Sequence, residues 1–199
     1  MNILAHAYLS GPDEGVIVGN FIGDFVKGDP THPRHGLTDA VRRGVYLHRL
    51  IDSFTDEHPV TAGLREVLRP RCHKYAGPAL DVILDHFMAL RFEQYAQQPL
   101  AVFVQGFYAV IQKNFNLLPV PALRMADYMI RHDWLTHYAM PEGIDRALKG
   151  IARRTTFPSG MDTAIDDLLA HYAIFADGFD RFFPELHNAT RHFLLNENA

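Results

Sequence analysis

The chain has 199 residues, 48% hydrophobic and 21% charged, with 23 acidic and 19 basic side chains and a net charge of −4. That balance excludes a mainly disordered chain and predicts one domain spanning residues 1–199. A lone cysteine, Cys72, excludes an internal disulfide and any thiolate-rich metal site, and the mild acidity argues against nucleic-acid binding through bulk charge.

Apolar runs such as residues 107–111 fall far short of the ~18 residues of a membrane span. The opening Met1-Asn2-Ile3-Leu4-Ala5-His6 lacks the basic and apolar regions of a secretory signal. A cytoplasmic protein without membrane contact is therefore expected.

Strand signals are nearly absent, whereas helical periodicity recurs along the chain. Asp13 can cap a segment through Val16, Val18, Phe21, Ile22 and Phe25, closed by Gly28 and Pro30. Thr38 or Asp39 can cap a longer helix from residue 40 to about 54, stopped before Pro59. Further helices are predicted over 60–68, 79–96, 101–115, 121–130, 143–153 and 161 to about 195. Short Pro- and Gly-marked breaks separate them, with no linker or repeat, so the fold expected is an all-α single-domain helical bundle.

Histidines are the anomaly, with 12 in the chain. His48 and Asp52 lie one turn apart on a segment that reads as apolar nearly all round, hence buried. A buried His and Asp so placed must be paired or bind something. Asp56 continues their line and Arg49 lies beside it. Asp81 and Asp85 also stand one turn apart, on a stripe with Met88 and Phe92, and two such carboxylates repel unless a cation lies between them. His86 adjoins Asp85, His6 sits in an apolar amino-terminal stretch, and Asp24 interrupts Phe21-Ile22-Gly23-Asp24-Phe25-Val26. Imidazole and carboxylate without thiolate suit Mn, Fe or Zn and favour hydrolytic metal chemistry.

His32 and His35 are expected in a solvent-facing loop, and His58 at a helix end before Pro59. The remaining histidines are scattered without common spacing. Cys72, between Arg71 and His73, is open to a lowered pKa, although a lone cysteine identifies no nucleophile. Arginines gather at Arg42 and Arg43, at Arg65, Arg69 and Arg71, and at Arg153 and Arg154. They form either solvated helix faces or a docking surface for an acidic partner or phosphate.

Four ordered motifs carry a resemblance: the opening through His6, Gly19-Asn20-Phe21-Ile22-Gly23-Asp24-Phe25-Val26-Lys27-Gly28, His48-Arg49-Leu50-Ile51-Asp52-Ser53-Phe54-Thr55-Asp56, and Leu80-Asp81-Val82-Ile83-Leu84-Asp85-His86-Phe87. Together they resemble the bacterial acyl carrier protein phosphodiesterases, with looser likeness through Asp133-Trp134-Leu135, Arg153-Arg154 and Phe182-Phe183-Pro184-Glu185-Leu186. The resemblance implies an all-helical, manganese-dependent relative of the HD-type metal phosphohydrolases. Its activity would remove 4′-phosphopantetheine from holo acyl carrier protein, an acidic protein substrate, to leave the apo form.

It implicates His6, Asp24, His48, Asp52, Asp85 and His86 as metal-site residues, with Lys27 and Arg49 as phosphate-facing cations. Asp81 or Asp56 is then the candidate for relaying a proton to the leaving serine alkoxide. Two other readings stay open on the residues alone: a phosphohydrolase acting on nucleotides or other small phosphodiesters, and a non-enzymatic helical binding module.

Overall fold

The structure is a computed structural model describing residues 1–196. Its amino-terminal stretch forms a short helix, α1 (Ile3–Leu9), which has no side-chain cap of its own. The Asp85 carboxylate supplies one from far along the chain, accepting from the N–H groups of Asn2, Leu4 and Ala5 at 3.2, 2.7 and 3.3 Å. Helix N-termini leave such donors without partners, and an anion there also complements the helix dipole.

Asp13 caps α2 (Glu14–Phe21), accepting from Val16 N–H at 3.0 Å. The chain then tightens into a 3-10 turn over Gly23–Phe25 instead of continuing the helix to Phe25. Thr38, of the two predicted alternatives, caps α3 (Asp39–Glu57). Val41, Gly44, Val45, Leu47, His48, Ile51 and Thr55 of α3 turn inward. Tyr46 and Ser53 are exposed and Leu50 and Phe54 half-buried, so the helix is one-sided, not apolar all round. His58 ends α3 and caps the next helix, α4 (Pro59–Cys72), as its position before Pro59 led one to expect.

The central helix is α5 (Ala76–Leu90), from which Ala79, Leu80, Val82, Ile83, Leu84, Phe87 and Met88 enter the core. Around it follow α6 (Phe92–Ala96), α7 (Leu100–Lys113), α8 (Val120–Arg131), α9 (Trp134–His137), α10 (Pro141–Ala152), α11 (Ile165–Ala170) and α12 (Tyr172–Asn196). Helix α12 packs on α3, α4 and α5, and its Phe175, Phe179, Phe182, Phe183 and Leu186 are fully buried. At roughly 1.5–3 kcal/mol per buried large apolar side chain, this aromatic row is a principal source of cohesion.

Two predicted helices are interrupted, at Arg91 and at His171, with neither Gly nor Pro at the break, and the second opens with a separate 3-10 turn over Met161–Thr163. At Arg91 the cause is tertiary: the guanidinium bonds Asp180 of α12 at 2.8 Å and lies over the Phe87 and Phe179 rings at 5.4 and 5.6 Å. No strand occurs among the described residues, and no helix among them is long and apolar enough to cross a membrane. The chain is all-α.

Candidate metal centre

The site is assembled where α2 and α3 touch. Gly15, Gly19 and Gly23 recur every fourth residue on one side, and Ala40, Gly44 and His48 on the other. A Cβ on Gly19 would lie 2.0 Å from the Val41 carbonyl oxygen, and one on Gly44 2.2 Å from that of Val16. Backbone therefore meets backbone along this seam. At its end, a Cβ on Gly23 would lie 2.2 Å from His48 Cγ, so the missing side chain is the space the imidazole uses.

Both imidazoles of the site are oriented by Asn20. His48 Nδ1 lies 2.9 Å from the Asn20 backbone carbonyl, which can only accept, so Nδ1 carries a hydrogen. The Asn20 amide nitrogen donates to the His6 carbonyl and to Ser10 Oγ, both at 2.9 Å. Its Oδ1 is left to accept from His6 Nδ1 at 2.7 Å. In each neutral ring the free lone pair thus resides on Nε2, and both point at carboxylates. His48 Nε2 is 3.0 Å from Asp52 Oδ2 and 3.5 Å from Asp24 Oδ1, and His6 Nε2 is 3.3 Å from Asp52 Oδ1. The two ring centroids are 4.5 Å apart.

Charge follows this geometry. Burial opposes a charged His48, but the Asp24 and Asp52 carboxylates that face it outweigh burial and push the pKa up to about 9. Burial likewise opposes ionised Asp52, yet His48 and His6 hold it well below the usual carboxylate range. His48 also lowers Asp24. Burial drives His6 the other way, towards the neutral imidazole.

Asp24, His48 and Asp52 bring one ligand atom each within 4.8 Å of one another, close enough to share an ion. The fit is supported by His48 Nε2, which is buried and makes no well-directed hydrogen bond although carboxylate oxygens face it. With side chains 76% and 43% exposed, Asp24 and Asp52 keep one side of the cluster open to solvent. A cleft of about 110 Å³ runs past His6, Asp24 and His48, walled by Met1, Ile3, Phe107 and Met125. Two carboxylates, imidazole nitrogen and an open face form a donor set for a divalent ion that must also admit substrate.

The other sequence candidates have partners of their own. Asp85 is fully buried and its oxygens serve the start of α1, while burial pushes its pKa up to about 7. Both nitrogens of His86 are engaged, Nδ1 with the Tyr138 carbonyl at 2.8 Å and Nε2 with the Tyr172 hydroxyl at 2.9 Å. The cation that Asp81 needs is the Met1 amino group at 2.8 Å. Asp56 is exposed with Arg65 at 3.6 Å. Arg49 donates to the carbonyls of Val26 and Gly28, at 3.0 and 2.6 Å, and so braces the segment that follows Asp24. Lys27 is exposed within that segment.

Cys72 corrects the sequence reading. Arg71 is drawn off into a bond with Asp167, and burial together with that carboxylate pushes the thiol up to about 11, not down.

Sequence reasoning passed over Asn20 and Gly23 as functional residues. The four-residue recurrence of small residues in both segments was the available signal for a close helix crossing, and it ends on Gly23 and His48.

The family model for acyl carrier protein phosphodiesterase matches residues 1–186. Among similar proteins, the acyl carrier protein phosphodiesterases of Enterobacter sp. (strain 638) and Salmonella agona (strain SL483) are 31% and 32% identical, each over 94% of this chain and 95% of their own length. That of Photorhabdus laumondii is 31% identical over 92% of both chains. No solved structure matches the chain. A family match running from the His6 helix through Asp24, His48 and Asp52 almost to the end of the described residues leads to one conclusion: this chain belongs to the acyl carrier protein phosphodiesterase family.

Proposed function

We propose that the protein hydrolyses the phosphodiester joining 4′-phosphopantetheine to the serine of holo acyl carrier protein, releasing the apo carrier. The observation that carries this reading is the open Asp24–His48–Asp52 cluster in a chain of that family. Asp24, His48 and Asp52 would hold a divalent metal, manganese foremost with iron or zinc compatible with the same donors, and His6 stands against Asp52. Such an ion supplies Lewis acidity towards a phosphate oxygen and the attacking water.

The chain's own residues do the rest. Asn20 fixes the tautomer of both histidines, as partners of metal-binding imidazoles commonly do. Arg49 holds the segment between Asp24 and Gly28, which keeps Lys27 on the exposed side where a phosphate would arrive. Asp24, the most exposed of the three ligands, lies on the face where water exchanges protons with the departing alkoxide. Asp56 and Asp81 are engaged by Arg65 and the Met1 amino group, and Asp85 and His86 by the helix start and by tyrosines. A cytoplasmic location follows from the substrate.

The test is mass spectrometry of holo acyl carrier protein incubated with the protein and manganese. Loss of the phosphopantetheine mass is the expected result, and an unchanged carrier would refute the assignment.

A further inference from the structure

A second cavity, of about 540 Å³, opens beside the metal cleft and has Asn2, Ile3 and Met125 in common with it. The size falls within the range of small-ligand pockets, about 300–1,000 Å³. Its lining contains no Asp or Glu. Apolar surface from Ile3, Met125 and Ile151 alternates with the Asn2 amide, Trp134, two histidines and two tyrosines. Arg146, Arg153 and Arg154, all exposed, stand on the α10 side and just beyond it, where Lys149 is paired with Asp145 at 2.6 Å.

We propose that this cavity receives the pantetheine arm of the substrate; the inference rests on the functional reading above. A phosphate at the metal cleft carries two substituents. One is a folded protein that must remain outside, and the other is a slim, uncharged chain with two amides, a hydroxyl and a thiol. Only the second fits a cavity of this size, and the cavity and the metal cleft share Asn2, Ile3 and Met125 as walls. An uncharged chain with amides and a hydroxyl can use a wall in which apolar surface alternates with hydrogen-bonding groups, as this lining does. The exposed cations then face the acidic protein from which the arm descends.

Two features make the assignment testable. Trp134 is the single tryptophan of the chain and lines the cavity, so its fluorescence reports occupancy directly. Gly150 also lines it, and a Cβ there would meet nothing within 4 Å, so alanine is accommodated and a larger side chain is the means of filling the space. Titration of the full chain with pantetheine and with 4′-phosphopantetheine, with and without manganese, is expected to give a saturable change in Trp134 emission. Gly150→Phe should weaken both at least tenfold with unchanged far-UV circular dichroism, while Gly150→Ala should retain them. Absence of saturation with the wild-type chain would overturn the proposal, as would unaltered binding in Gly150→Phe or tighter binding of AMP than of pantetheine. Release of phosphopantetheine from the holo carrier without any Trp134 response would refute the cavity assignment alone. A saturable response without release would support it while refuting the proposed reaction.

Discussion

Replacing Gly23 by alanine should cripple the metal centre although the residue has no side chain to bind anything. The added Cβ would lie 2.2 Å from His48 Cγ, 2.5 Å from Cδ2 and 2.6 Å from Cβ. Carbon atoms rest at about 3.5–4.0 Å, so the ring or the 3-10 turn must retreat by roughly 1 Å. Retreat of His48 breaks the 2.9 Å bond to the Asn20 carbonyl, and retreat of the turn carries Asp24 with it. Either movement separates His48 Nε2 from a carboxylate. Overpacking of this kind costs about 1–3 kcal/mol of stability, and a displacement near 1 Å at a reacting centre costs about 10²-fold in rate. Manganese titration by calorimetry, alongside urea unfolding, should show affinity falling at least tenfold while the protein remains folded. Gly106→Ala is the control, since its Cβ meets nothing within 4 Å and alanine gains up to about 1 kcal/mol in a helix. Wild-type manganese affinity in Gly23→Ala would refute the close approach on which the site is built.

Asp52→Asn should lose manganese binding and reduce hydrolysis of holo carrier at least a thousandfold with helicity intact; activity within tenfold of wild type would remove Asp52 from the ligand set. Asp85→Ala should act on stability instead, leaving the N–H groups of Leu4 and Ala5 buried without an acceptor. A loss of about 3 kcal/mol is expected, or roughly 6–12 °C in Tm. A collapse of manganese affinity at unchanged Tm would make Asp85 a ligand after all. In the metal-free protein, the folded-state pKa of His48 is raised from 6.5 to about 9. Its stabilising contribution, roughly 3 kcal/mol, is therefore full below pH 6.5 and lost as pH rises through 9. Urea unfolding of chelator-treated protein from pH 6 to 9.5 measures it, and in His48→Gln that part of the slope should vanish.

Fold class was legible because helical periodicity and the Asp13 and Thr38 caps are local signals, and local signals survive folding. The break at Arg91 was not, since a tie such as that of Arg91 to Asp180 has no local signature. Among the candidate residues, sequence patterning found those that share a helix turn, His48 and Asp52, and marked His6 and Asp24 as polar intrusions in apolar surroundings. It could not separate a carboxylate that holds an ion from one that holds a helix. Asp85 is as incongruous on its face as Asp52, but its demand is met by three backbone donors some eighty residues away. Periodicity says that a buried charge needs a partner; only the fold says which partner arrives.

The difference between the two kinds of carboxylate then bears on function. Around Asp85 the donors are backbone N–H groups, which tie both of its oxygens to the start of α1. At Asp24 and Asp52 the balancing charge is a single proton on His48, held at a pKa near 9 only because two carboxylates face it. A proton can be exchanged for an ion, whereas a backbone N–H cannot. Binding of a divalent cation near pH 7.5 should therefore expel close to one proton per ion. Calorimetry in two buffers of different ionisation enthalpy would measure that number. Binding with no proton release would mean that the ion is held without His48, and that the cluster described here is an ion pair whose purpose is structural.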